Sequence, residues 1–353
     1  MLIDRYLART VLAGIAMTAL VFAGLFLFID FVRELRQVGT ADYSLMTALY
    51  YVALRLPQRL YELAPPVILV GALLSLGALA AASELVVMRA AGLSVARITR
   101  SVLQAGLLVA LLVALLGEYA VPYSSQQAQT LRVQALNQSV LVGGKQGIWF
   151  RDGERYIHIG KVLPGRQLHD VSLYELDSAR RLKSASRIAY AQAQADGWLL
   201  QDVVTSVIGD NGVQTWQQDR QFVNRLVKAD LFDVLKTDPE DMSARDLYHY
   251  AAYLQQNNLD ADVYRLQFWL KLLTPLTCLV MLLLALPLVF GSQARTGGAG
   301  QRVVIGLSIG IVFYVLNRLV NHLGLVYGLP PLLSAALPPL LAAGIALGLL
   351  RRG

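Results

Sequence analysis

A single cysteine, Cys278, stands in 353 residues, which excludes a disulfide framework or a cysteine-based metal site within the chain. Charge is scarce too: 16% of residues are Asp, Glu, Lys or Arg against 56% hydrophobic, and mean hydropathy is +0.50. Ordinary soluble domains carry roughly 25% charged residues, so the chain reads as a membrane protein. Of the few histidines, His158 and His169 are too isolated for a metal site. No Ser/His/Asp or paired-carboxylate pattern marks a catalytic centre, and no catalytic residue is assigned. The phosphate-binding pattern G-x-x-x-x-G-K-[ST] is missing as well. Gly143-Gly144-Lys145 lacks the first-glycine spacing and a following Ser or Thr, and reads as a turn. The chain is expected to hydrolyse no nucleotide and to bind no metal or cofactor.

Long apolar runs are what the sequence has in quantity. Val11 to Ile29 is free of charge and, at about 1.5 Å per residue, long enough for the roughly 30 Å core of a bilayer. Arg5 and Arg9 ahead of it suggest a signal peptide. The run is too long for one and lacks a small-x-small cleavage site, so it is expected to stay. Runs from Ala64 to Ala82, opened by Pro65-Pro66, and from Val102 to Leu116 and on toward Tyr119 predict spans two and three. Glu118 is expected at the membrane interface. Spans four to six are predicted from about Leu266 to Phe290, Val303 to about Tyr327, and Leu332 to Leu350.

Between the two sets the sequence is mixed and polar, too long for a loop without its own core. Period-two alternation in WFRDGERYIHI (Trp149 to Ile159), VSLYEL, RIAYAQAQ and WLLQDVVTSVI predicts strands, with turn signals at Asp152-Gly153, Asp196-Gly197 and Asn211-Gly212. A small antiparallel sandwich or roll fits. Asp238 to Gln256 predicts a helix leading back to the membrane. The expected fold class is a membrane α-helical protein of six transmembrane helices, three and three, with an inserted all-β domain. Its segments are 1–122, 123–262 and 263–353.

The ends sharing a side with the N-terminus carry Arg5, Arg9, Arg89, Arg97, Arg100, Arg295, Arg302, Arg351 and Arg352 against only Asp4 and Glu84. By the positive-inside rule that side is cytoplasmic, which reads the net charge of +7 as topology and not as nucleic-acid binding. Arg33, Arg36, Arg55 and Arg59 fall on the opposite side. They suit either phosphate binding through charge-assisted hydrogen bonds or ordinary snorkelling. Asn317, Arg318, Asn321 and His322 form a polar stripe on span five, part of a cavity wall or of a helix-packing interface. Gly14, Gly24, Gly306 and Gly310, with Ser308, permit close helix contacts.

The loop between spans two and three, SELVVMRAAGLSVARITR (Ser83 to Arg100), predicts a short helix capped by Ser83 and ended by Gly92, with Ser94 starting the next. Leu85, Met88 and Ala91 or Gly92 would form an apolar knob for a partner's groove. A membrane-skimming connector is the other reading.

SELVVMRAAG, with the opening Asp4 to Tyr6, resembles the LptF/LptG family, the permease subunits of the lipopolysaccharide export ABC transporter. GEYAVP (Gly117 to Pro122), QGIWFRDG (Gln146 to Gly153), RVVIGLSIGIVFYVLN from Arg302 and VYGLPP (Val326 to Pro331) resemble the G-type subunit more than the F-type. The resemblance implies six spans, a periplasmic β-jellyroll and a coupling helix that docks on a cytoplasmic ATPase. It makes Glu84 the polar contact to that ATPase, Leu85, Met88 and Ala91 the packing surface, and Arg89 and Gly92 its edge and end. It implies an F-type partner (LptF), an ATPase dimer (LptB) using ATP and Mg, LptC and, through the jellyroll bridge, LptA. Lipopolysaccharide would meet Arg33, Arg36, Arg55, Arg59, Arg318 and His322, and Gly14, Gly24, Gly306 and Gly310 would pack lateral gates. One departure is Asp30, where the family pattern has a basic residue just before Phe-Val. Two other classes fit less well. A lipoprotein-release permease places its domain after the first span, and an intramembrane hydrolase needs convergent ionisable residues that only the span-five stripe begins to offer.

Overall fold

A computed structural model describes residues 2–136, 148–152, 154–163, 167–177, 181–194, 197–209, 212–224, 226, 238–257, 259–290 and 299–352. Within them six helical segments are long and apolar enough to cross a membrane: Leu2–Gln37, Ala64–Ala81, Val95–Ala135, Asp262–Phe290, Val303–Val326 and Pro331–Arg351. The elements are α1 (Leu2–Glu34), α2 (Leu45–Glu62), α3 (Ala64–Ala81), α4 (Glu84–Ala90), α5 (Val95–Leu115), α6 (Val121–Ala135), α7 (Ala244–Gln256), α8 (Asp262–Phe290), α9 (Ala299–Val326) and α10 (Pro331–Arg352). The expected six spans and mid-chain β insertion are both present. Arg295, Gly143-Gly144-Lys145 and part of each predicted strand turn lie outside the described residues.

The bundle is organised around α3. That helix is apolar all round, and 78% of its span window is buried, against 11% for the first and fifth spans. A helix without a polar face must be covered on every side. Water supplies no driving force between helices in lipid, so close packing holds them. At the α1–α3 crossing, a Cβ on Gly71 would lie 2.6 Å from the Ile15 Cα, and one on Gly14 would lie 2.6 Å from the Ser75 Cβ. Only glycine permits that approach. Ser75 and Thr18 satisfy their hydroxyls on the carbonyls of Gly71 and Gly14, at 2.8 and 2.9 Å, so neither brings an unpaired polar group into the contact. On the other flank a Cβ on Gly306 would meet Leu73 at 2.8 Å, and one on Gly310 would meet Pro66 at 2.9 Å. Three of the four glycines expected at gates therefore pack on α3 of their own chain, and Gly24 alone faces open space. Periodicity identifies a small-residue face but not the helix that meets it.

Three further differences follow from charge and helix geometry. α1 extends beyond the apolar run at both ends, because the run measures only the hydrocarbon and the helix continues where arginine is solvated. The third span does not stop near Tyr119. A π turn at Leu116–Ala120 leads into α6, which continues to Ala135 with Pro122 in its first turn, where no N–H is needed. The connection between the first two spans contains an entire helix, α2, capped by the Ser44 hydroxyl on the Thr47 N–H at 3.2 Å.

The inserted domain contains β1 (Ile148–Asp152), β2 (Arg155–Leu163), β3 (Gln167–Leu176), β4 (Leu182–Gln194), β5 (Gly197–Gly209) and β6 (Gly212–Val223), paired antiparallel in that order. Gln194 opposes Gly197 and Gly209 opposes Gly212, so the turn signals fall where the hairpins close. The pairing is an up-and-down meander, and no crossing connection of the jellyroll kind occurs among the described residues. Ile157, Ile159, Leu168, Val171, Ile188 and Leu200 point to one face, where Leu247, Tyr250 and Leu254 of α7 cover them. Tyr264 and Phe268 of α8 join the same core, so the domain is rooted in the fourth span.

Substituting leucine at Gly71 forces a side chain against α1 backbone and is expected to cost about 1–3 kcal/mol or more through overpacking. A lowered thermal midpoint of the purified chain in detergent checks this, with Gly24→Leu expected to leave the midpoint unchanged.

Candidate functional site

Two regions bring the candidate residues together, one at each end of the bundle. At the end carrying the termini, α4 lies between α3 and α5. It closes on Gly92 (φ +88), with the Leu93 N–H on the Met88 carbonyl at 3.1 Å and the Gly92 N–H on Arg89 at 3.0 Å. These are the paired bonds of a Schellman close, so Gly92 ends the helix as expected. Ser94 starts α5, its hydroxyl accepting the Arg97 N–H at 3.3 Å. Ser83 does not cap α4. It sits at φ 60, in the left-handed region, where its hydroxyl makes no capping bond. Capping requires an extended backbone at that position.

The first turns of α1 brace this helix through Tyr6 and the next helix, α5, through Asp4. The Tyr6 hydroxyl donates to the Glu84 carboxylate at 2.9 Å, and Asp4 accepts from Ser101 at 2.7 Å and pairs with Arg97 at 3.4 Å. Asp4 and Tyr6 stood in the sequence only as part of a family signature. Their structural task was not legible, because their partners lie far along the chain.

The faces of α4 differ from expectation. Leu85 is 3% exposed in the bundle core and Met88 packs against that core, so both serve this chain. Val86 and Val87, 49% and 65% exposed, form the apolar edge that looks outward, with Arg89, Ala91 and Gly92 exposed beside them. The spacing of Leu85 and Met88 correctly identifies one helix face. That face turns inward because α4 has its own bundle to cover before any partner.

At the end carrying the sheet, the four basic residues divide. Arg33 and Arg36 are exposed, the Arg33 side chain at 71% with Asp30 3.6 Å away. Arg55 and Arg59 are committed inside the chain. Arg59 donates to Asp30 at 2.9 Å and to Glu62 at 3.4 Å, so the anomalous Asp30 is a counter-ion. Arg55 meets Asp241 at 2.7 Å and Ser125 at 3.4 Å. Asp241 is wholly buried; burial pushes its carboxyl up and Arg55 opposes the shift.

Asp241 begins a segment tied down at successive positions. Lys271 of α8 donates to the Met242 carbonyl. Glu118 of the π turn accepts the Ala244 N–H at 2.9 Å and the Arg245 N–H at 3.4 Å. Those N–H groups open α7, so Glu118 is a capping carboxylate supplied by another helix. A π turn displaces the register by a residue, which aims Glu118 sideways. Glu34 similarly joins Arg132 at 3.3 Å and Tyr43 at 3.1 Å, linking α1, α6 and the loop before α2.

The span-five stripe lines a cavity of about 340 Å³ between α3, α8, α9 and α10. Arg318 and His322 face it with Asn317 and Asn321, opposite Glu62 and Glu240. Arg318 donates to the Tyr314 hydroxyl at 3.0 Å. His158 and His169 are taken up by Trp149 and Tyr190, ring to ring at 4.8 and 4.2 Å.

A six-span bundle with an inserted sheet at one end and a braced surface helix at the other has the build of a polytopic membrane permease. The sequence matches the family described as lipopolysaccharide export system permease LptF/LptG over residues 5–352. The lipopolysaccharide export system permease protein LptG of Haemophilus influenzae is 32% identical over 342 residues, covering 96% of this chain and 95% of that protein. The protein of the same name from Escherichia coli K12 is 35% identical over 360 residues, covering 99% and 98%. The chain belongs to the LptF/LptG family.

Truncating Arg55 strands a buried carboxylate. Arg55→Ala is expected to lower stability by about 3–5 kcal/mol, while Arg55→Gln with Asp241→Asn costs distinctly less. Thermal unfolding of the single and double variants checks the difference.

Proposed function

We propose that the chain is a transmembrane permease subunit of an ATP-driven lipopolysaccharide exporter, taking lipopolysaccharide from the inner membrane and passing it to a periplasmic bridge toward the outer membrane. The observation that carries the reading is the match to lipopolysaccharide export permeases along almost the entire length. The relatives bearing the G-type name support a G-type role, with an F-type permease as the other half of the pair. By the positive-inside rule, the arginines at the terminal end set that end in the cytoplasm and the sheet in the periplasm.

The spans α1 and α9 flank α3 and leave most of their apolar surface uncovered, which supports a lateral contact with a second permease. Gly24 is the small residue left free for that contact. Arg33 and Arg36, exposed at the sheet end of α1, offer guanidinium groups to lipopolysaccharide phosphate. Among the described residues the meander ends at β1 and at β6, and a sheet edge accepts a further strand, the route by which the domain would continue into LptC and LptA.

Coupling to a separate LptB dimer, which binds ATP and Mg, falls to α4. A helix fixed by a Schellman close, by Tyr6 and by the packing of Leu85 moves as one body with the bundle, so closure of an ATPase beneath it reaches the spans. Val86 and Val87 are the groups offered to the ATPase groove, and Glu84 is the polar contact that Tyr6 holds in place.

Val87→Asp is expected to reduce recovery of the ATPase with the tagged permease about tenfold or more, as loss of an interface anchor does, and to leave the permease folded. Leu85→Ala is expected instead to destabilise the permease by about 2–5 kcal/mol. Co-purification, ATPase assay and thermal unfolding of the two variants separate docking from packing. Retention of the ATPase by Val87→Asp would reject the assignment of this edge.

A further inference from the structure

α9 leans on α3 through Gly306 and Gly310 and stands away from α8 along much of its length. The gap forms a cleft between α9 and the α8–α10 pair. Toward the sheet end lies the polar cavity of about 340 Å³, and below it a second, separate cavity of about 260 Å³ adjoins it at Phe313 and reaches further toward the termini. Every side chain lining the lower part is apolar, among them Met281, Leu284, Leu316 and Leu341. Along α9 the lower part reaches from Ile309 to Val320. At about 1.5 Å per residue that is roughly the depth of one leaflet of a 30 Å hydrocarbon core.

The upper part holds charges of both signs. Arg318 and His322 face it from α9, Glu62 from the end of α2 and Glu240 from the turn before α7. Among the described residues no ion pair joins Arg318 to either acid; it donates to Tyr314 and keeps further N–H groups for a ligand. Asn321 is 7% exposed, and its side-chain carbonyl oxygen has no hydrogen-bond partner. A buried acceptor in a cavity wall calls for a donor from whatever occupies the cavity. The site therefore asks for an anionic group near Arg318 and His322, N–H donors near Asn321 and the two carboxylates, and an apolar chain beneath.

We propose that this cleft binds a bilayer phospholipid with a phosphoethanolamine headgroup: phosphate on Arg318 and His322, ammonium toward Glu62 and Glu240, and one acyl chain in the lower cavity. A phosphoglycerol head satisfies Arg318 but ends in a neutral glycerol and brings no cation to the acids; burial pushes the Glu62 carboxyl up, Arg59 opposes the shift and the nearby Glu240 adds to it, so an ammonium there is favoured. The bound phospholipid fills the space between α9 and α8, so it supports the span that the proposed lateral contact uses. The site is independent of which solute is exported.

The test uses the full permease complex, delipidated in detergent and titrated with dioleoyl phosphatidylethanolamine or dioleoyl phosphatidylglycerol, with bound lipid counted by native mass spectrometry. The ethanolamine lipid is expected to bind about tenfold more tightly, the scale of one charge-assisted contact. Glu240→Gln, at an exposed position, is expected to erase that preference without loss of fold, and Leu341→Trp to weaken both lipids by filling the chain cavity. Equal binding of the two lipids to the unmodified complex, an unchanged preference in Glu240→Gln, or displacement of the ethanolamine lipid by equimolar lipopolysaccharide would each overturn the proposal, the last by assigning the cleft to the export path.

Discussion

The contact of α3 with α1 and α9 through glycine is the constraint on which the rest of the bundle depends. Helices in lipid gain nothing from hiding apolar surface, so they hold together only where backbones come close enough for dense packing. Gly14 and Gly71 supply that on one flank, and Gly306 and Gly310 on the other. With α3 enclosed, α1 and α9 become the outlying spans. The cleft lies where α9, held on α3 through Gly306 and Gly310 and on α10 where Gly324 meets Ser334, stands away from α8.

Polar chemistry at the two ends performs complementary work. At the sheet end, Arg55, Arg59, Lys271 and Glu118 are directed inward onto Asp241, Asp30, Met242 and the start of α7. The turn into α7 is thereby fixed to α2, α8 and the π turn, so the β domain and the membrane helices move together. A buried ion pair contributes little net stability but strongly penalises any arrangement that separates it, which favours one docking geometry. At the terminal end, Tyr6 ties α1 to α4 and Asp4 ties it to α5, with lighter bonds. Each end of the bundle is thus tied to its neighbouring element by polar contacts between residues distant in sequence.

The apolar runs, the arginine asymmetry and the alternating strand segments were legible in the sequence because each is a local pattern: length against bilayer thickness, charge against side, period two against a sheet. The Schellman glycine and the Ser94 cap were legible for the same reason. Hidden were features made by residues far apart in sequence. Leu85 turned inward, Asp30 became the partner of Arg59, and Glu118 capped a helix more than a hundred residues away. Even α6 escaped, because a π turn and a proline inside a continuing helix read locally as a stop.

By itself the sequence determined that this is a six-span membrane protein with an inserted β domain, and which family it resembles, since composition, period and motif survive without knowledge of contacts. Only the tertiary structure decided which arginines stay exposed, which glycines face α3 and which edge of α4 looks outward. A side chain's role in a packed bundle depends on the element opposite it, and one-dimensional spacing fixes a face without fixing what that face meets.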